Sequence, residues 1–173
     1  MIKNNTRILK ILDIAFAFIV LASMLAFVVD DGIRIQYIVI KLGNEQFGID
    51  IKYVDNIVRM QTITRVPHVQ KFIKGVINLR GEVIPVLSLR VKMGLEDVPD
   101  TKASRIVILK LEQYGLLGFV VDEVREVVTL SEIQIEKTSY NGTDEKPPFV
   151  AGVGKNGEDL ISLLDLNVLC AEK

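Results

Sequence analysis

A few groups of residues in this sequence have types and spacings that invite chemistry. Gly152-Val153-Gly154-Lys155-Asn156-Gly157 has the G-x-G-x-x-G spacing of a turn that cradles phosphates. That use needs a strand before the glycines, a helix after them and an acidic residue about 20 positions on. Here a strand-like run, Leu160 to Leu164, follows, and the sequence stops at Lys173. The glycines read instead as a tight hairpin turn. Asp122 and Glu123 adjoin an apolar strand. Neighbours on a strand point to opposite faces, so they make a poor acid–base pair. Cys170 and His68 are the single cysteine and histidine, far apart and without a nucleophile motif around either. No His/Cys cluster has metal-ligand spacing, and no serine sits in a nucleophile elbow. Asn141-Gly142-Thr143 is a glycosylation sequon and equally a turn signal. The expectation is a chain with no catalytic residue, no metal and no cofactor.

A different stretch points to recognition. Lys74-Gly75-Val76-Ile77-Asn78-Leu79-Arg80-Gly81-Glu82-Val83-Ile84-Pro85-Val86 reads as strand, tight turn, strand. Gly75 permits an unusual backbone angle or a close approach by another segment. Gly81 can take positive φ in the turn, and Pro85, which donates nothing to a ladder, belongs at an edge or bulge. Arg80 then stands at a turn between two apolar strands, a planar donor fork offered to a partner's acceptors.

The elements that must hold such a turn follow from composition and repetition. The chain has 173 residues, 49% of them apolar and 25% charged, with a formal net charge of -1. That is a folding composition, and it gives nucleic-acid binding little electrostatic support. One cysteine makes no intrachain disulfide, so no oxidising compartment is required. Residues 1–33 stand apart. Ile14 to Val29 is apolar except for Ser23, with Lys3, Arg7 and Lys10 before it and Asp30 and Asp31 after it. That is the outline of a signal or anchor. Its 16 residues would span roughly 24 Å as a helix, against a bilayer core of about 30 Å. Two readings stay open: a membrane or interfacial segment over residues 8–29, or an extension outside the working domain.

From residue 36 the chain repeats itself. Tyr37-Ile38-Val39-Ile40-Lys41-Leu42 returns 69 residues later as Ile106-Val107-Ile108-Leu109-Lys110-Leu111. Gly48 to Val58 returns at a shift of 70, and Phe72 to Val76 with Ile84 to Leu89 returns at a shift of 77. Three blocks in one order predict two copies of a small β unit. Each has about five short strands, and the second carries a longer loop at Ser139 to Pro148. Such units close their edges by curling into barrels. The expected fold is mainly β: two small five-stranded, SH3-like barrels side by side over residues 34–173, joined near 94–104. A short helix or turn is expected near Asn167 to Ala171.

Gly75-Val-Ile-Asn-Leu-Arg-Gly-Glu-Val-Ile-Pro-Val86 resembles the signature run of CheW-like domains. So do Tyr37 to Ile51, Ile63-Thr64-Arg65-Val66-Pro67 and Gly118 to Val124. The resemblance covers residues 36 to 168, and the family's pair of barrels agrees with the repeat. It implies a non-catalytic adaptor in chemotaxis signal transduction. Such adaptors bind the regulatory domain of a CheA-type histidine kinase and the cytoplasmic tip of a methyl-accepting chemoreceptor. It implies a place in the cytoplasm, in receptor arrays at the inner face of the membrane. By resemblance Arg80 lies at the receptor contact and Gly75 at a position sensitive for partner binding. Ile51, Val54 and Ile57 line a groove for the receptor helix. Asn56 stands where family members often carry Glu, which puts charge pairing there in doubt. Two other readings compete: a CheW-like module of a non-chemotaxis system, and a membrane-anchored or exported β-barrel binding protein.

Overall fold

A computed structural model describes residues 32–137 and 149–171. The apolar N-terminal stretch, the sequon and the expected long loop lie outside the described residues. The chain divides into two compact units, Met1–Arg34 and Ile35–Lys173, and the fold is that of the second.

Among the described residues, eleven strands and two short helices follow in order. They are β1 (Arg34–Leu42), β2 (Glu45–Asp50), β3 (Val54–Arg59), β4 (Ile73–Leu79), β5 (Glu82–Ser88) and α1 (Leu89–Lys92). The second repeat supplies β6 (Arg105–Leu111), β7 (Gly115–Val121), β8 (Glu123–Ser131), β9 (Ile135–Lys137), β10 (Val150–Asn156), β11 (Asp159–Leu164) and α2 (Leu166–Ala171). The G-x-G-x-x-G run is a hairpin: its last glycine, Gly157, lies in the turn between β10 and β11.

The expected pair of five-stranded, SH3-like barrels does not form. The strands make two open mixed sheets, one of six strands in the order β8-β1-β2-β11-β10-β9 and one of five in the order β3-β6-β7-β5-β4. Neither order returns on itself. The reason lies in how the repeats meet. The β1–β2 hairpin of the first repeat sits between β8 and β11 of the second, and β6–β7 sits between β3 and β5. Matching strands by the repeat gives both sheets one order. Each repeat thus covers strands of the other, and curling is not needed to bury them.

Each sheet contains one parallel crossing. Phe47 and Gly48 of β2 lie beside Ser162 and Leu163 of β11, and Gly118 of β7 lies beside Val86 of β5. The exchange explains the unbroken apolar runs, because β1 and β6 are buried on both faces. Ile38, Ile40 and Leu42 join Val107, Leu109, Leu111 and Phe119 in a core shared by both sheets. Tyr37 and Val39 turn the other way, into a cluster with Leu130, Ile161 and Leu163. Ile106 and Ile108 do the same on the other sheet with Ile77, Ile84 and Val86. Even the short helices repeat. The Ser88 N–H donates to the Phe72 carbonyl at 2.7 Å, and the Asp165 N–H donates to the Phe149 carbonyl at 2.8 Å. Each helix then buries its first residue, Leu89 or Leu166.

One clamp has no counterpart among the described residues of the second repeat. Arg90 on α1 donates through Nε and Nη2 to both Asp122 oxygens, each at 2.8 Å. The Gly43 N–H, in the β1–β2 turn, donates to Asp122 Oδ2 at 2.7 Å. The fork therefore ties α1 to the β7–β8 corner and to a turn of the other sheet. It holds the Asp122 carboxyl below its ordinary range, aided by the Gly43 N–H and opposed by partial burial. A depressed carboxyl adds stability above its unfolded pKa of about 3.9, and that gain disappears as pH falls through the lower folded value. Asp122→Asn is therefore expected to lower stability at pH 7 by about 1 kcal/mol, the scale of a half-exposed charged hydrogen bond. Urea unfolding of both forms should show the gap closing as pH falls below about 4.

Candidate partner interface

The β4–β5 turn is the most exposed part of the recognition stretch. Leu79 pairs with Glu82, leaving a two-residue turn at Arg80 and Gly81. Both have positive φ, 55° and 91°, as a type I′ turn requires. The Asn78 carbonyl oxygen Oδ1 accepts from the Gly81 N–H at 2.9 Å. An arginine in the left-handed region is strained by about 1–2 kcal/mol. At the matching position of the second repeat stands Gly157, with φ 63° and no such strain. Arg80 is exposed, and no carboxylate pairs with it among the described residues. A strained, unpaired cation at a rigid tip suits a contact outside the chain.

Gly75 is buried, so it is not itself a contact surface. It lies at a bulge in β4 with φ 145°. A Cβ there would run into the Thr64 carbonyl oxygen and crowd Ile63 Cγ2 at 2.9 Å. Thr64 and Val76 exchange both main-chain hydrogen bonds, at 2.8 and 2.9 Å. The glycine thus seats the 61–69 segment against β4. Gly152 does the same for β9, its absent Cβ 2.8 Å from the Glu136 carbonyl.

The other site residues lie on and just before β3, the opposite edge of the same sheet, with β6, β7 and β5 between them and β4. Ile51 opens a 3-10 turn, Ile51–Tyr53, which Asp50 caps by accepting from the Lys52 N–H at 3.0 Å. Ile51 and Ile57 are each 36% exposed. Val54 turns inward and packs on the shared core. Asn56 is half-buried at a second bulge, where its Oδ1 accepts from the Ile57 N–H at 2.8 Å. The structure therefore gathers Ile51, Asn56 and Ile57 at one edge and Arg80 at the other, with Val54 and Gly75 supporting from inside. The repeat contains one further signal, which the motifs alone do not single out. Val127 matches Ile57 and is 51% exposed on β8, the equivalent edge strand of the other sheet.

Burial raises the Cys170 thiol above its ordinary pKa, against the Lys92 charge, so little thiolate forms. Among the described residues no His, Cys, Asp and Glu group could hold a metal ion. No helix among them is long and apolar enough to cross a membrane.

Residues 36–173 match the family model described as CheW-like domain, and the chain belongs to that family. It is 33% identical over 138 residues to the chemotaxis protein CheW of Klebsiella aerogenes, covering 80% of this chain and 82% of that one. With the chemotaxis protein CheW of Bacillus subtilis it shares 32% over 134 residues, 78% of this chain and 85% of that one. It is similar to the crystal structure of the scaffolding protein TtCheW from Thermoanaerobacter tengcongensis, with a TM-score of 0.74 and 32% identity. That likeness covers 82% of this chain and 95% of the other. The chain is a non-enzymatic scaffold of chemotaxis signalling.

Two substitutions separate strain from support. Arg80→Gly is expected to raise stability by about 0.5–1 kcal/mol by relieving the left-handed arginine. Gly75→Ala is expected to lower it by about 1–3 kcal/mol by displacing the Thr64 segment. Urea midpoints at pH 7 check both.

Proposed function

We propose that the chain couples a CheA-type histidine kinase to the cytoplasmic tips of methyl-accepting chemoreceptors, as the scaffold of an array at the inner face of the membrane. One observation carries the reading: the CheW-like match spans residues 36–173, and within it the β4–β5 turn holds Arg80 outward at a strained angle that the second repeat avoids. Residues 34–173 are the working module. The receptor is recognised at Arg80 and by the apolar side chains of Ile51 and Ile57 against one face of its helix. Val54 and Asn56 fix β3 behind them, and Gly75 fixes the segment beside β4. The kinase regulatory domain binds a face that leaves Arg80 free.

Arg80→Ala is expected to weaken binding of a receptor-tip fragment about five- to tenfold, the loss typical of an anchoring arginine. Binding of the kinase regulatory domain should stay within about twofold of the parent. Calorimetric titration of the full chain with each partner reads both. Equal weakening of the two, or of neither, contradicts the division of surfaces.

A further inference from the structure

The face of β3 that carries Ile57 changes character within two residues. Ile57 lies beside Val107 of β6, and Val107 lies beside Phe119 of β7. Val107 and Phe119 are buried in the shared core, so this row runs from the core out to the sheet edge. The next row on the same face is Arg59, Arg105 and Val121. Between the two rows, Val58 and Ile106 pack into the cluster on the other side of the sheet, so the alternation stays regular to the end of the strand. Two arginines therefore face each other across neighbouring strands, just past the apolar contact.

Like charges directly opposite each other on a sheet repel. Among the described residues no carboxylate pairs with either guanidinium, and Arg59 is exposed. Arg105 is half-buried and held in place. Its Nη1 donates to the Lys102 and Ser104 carbonyls, each at 2.8 Å. Its other donors point to no acceptor among the described residues. The repeat shows that the fold does not need this pair. Shifts of 70 and 69 take Arg59 to Thr129 and Arg105 to Gln36, both uncharged. β8 and β1 are neighbours in their sheet as β3 and β6 are in theirs. The same backbone pattern thus accepts threonine and glutamine, and the doubled charge serves something outside the chain.

We propose that Arg59 and Arg105 together recognise a carboxylate on the receptor helix, beside the apolar side chain that meets Ile57; this rests on the coupling role proposed above. A carboxylate between the guanidinium groups offsets their repulsion and accepts charge-assisted hydrogen bonds from both. The spacing fits. Ile57 and Arg59 are about 7 Å apart along the strand, and residues four apart on a helix are about 6 Å apart. A helix laid along β3 therefore presents its acidic residue three or four positions from the apolar one. The apolar contact supplies area, and the arginine pair selects which helices fit and in which direction they lie.

Calorimetric titration of the full chain with a receptor-tip fragment tests this, with Arg80→Ala run beside each variant as the control for receptor binding itself. Arg59→Gln is expected to weaken binding about two- to fivefold, the range of one exposed ion pair, and Arg59→Glu about tenfold. Both losses should shrink as salt is raised. The urea midpoint of Arg59→Gln should equal or exceed the parent's, because a repulsion is removed. Each acidic residue of the fragment is then replaced in turn by Lys. One such replacement should weaken binding to the parent and improve binding to Arg59→Glu by about fivefold. If Arg80→Ala weakens binding while Arg59→Glu does not, or if no replacement improves binding to Arg59→Glu, the arginine pair is not an acid-reading site and the receptor assignment stands without it. If the parent does not bind the fragment, or Arg80→Ala binds as the parent does, the coupling role fails and the proposal fails with it.

Discussion

The molecule depends on two parallel strand contacts, β2 with β11 and β5 with β7, where one repeat crosses into the other. Each contact passes over a glycine. A Cβ on Gly48 would come 2.8 Å from Leu163 Cδ2, and one on Gly118 would come 2.9 Å from Ile106 Cγ2 and 3.3 Å from Val86 Cγ2. Bare backbone at these points leaves room for side chains of the neighbouring strands of the same sheet to pack across it. A unit of under about 70 residues buries too little alone to be robust. By exchanging strands the repeats share one larger core, and neither is complete without the other.

That arrangement suits a scaffold. A protein that only holds others together needs surfaces that keep their shape under two loads at once. The proposed contacts sit at sheet edges and a two-residue turn, and buried glycine seats and the Arg90–Asp122 fork brace the fold behind them. The informative positions are those where the sequence departs from its own repeat. Arg80 stands where the other repeat has Gly157, and Arg59 and Arg105 where it has Thr129 and Gln36. Each departure changes what the surface can hold while the backbone pattern stays the same.

Much of this is legible in the sequence, for physical reasons that also set its limit. The strand runs, the turn at Arg80 and Gly81, the short C-terminal helix and the order of the repeat all follow from local pattern. The exchange of strands does not. Val107 and Leu109 are apolar whether their neighbours come from the same repeat or the other, so periodicity is silent on the partner. Barrels are the expectation because edges must be protected, whereas the chain exchanges strands and leaves β3, β4, β8 and β9 at the edges of open sheets. The three-residue β9 and the Thr64 bridge are too short for a pattern. At the surface, Arg80 is visible as a charge at a turn. That Val54 packs on the shared core and Gly75 is buried cannot be read from their neighbours in sequence, because burial is not local information. The Arg90–Asp122 fork joins residues 32 apart and leaves no trace in either neighbourhood.

The scaffold role is tested most directly by ATP turnover of a CheA-type kinase on vesicles carrying a chemoreceptor, with and without the full chain. Coupling predicts that turnover rises several-fold only when kinase, receptor and this chain are all present, and that Arg80→Ala removes most of the rise. Turnover that is the same with and without the chain, at concentrations where it binds the kinase, contradicts it.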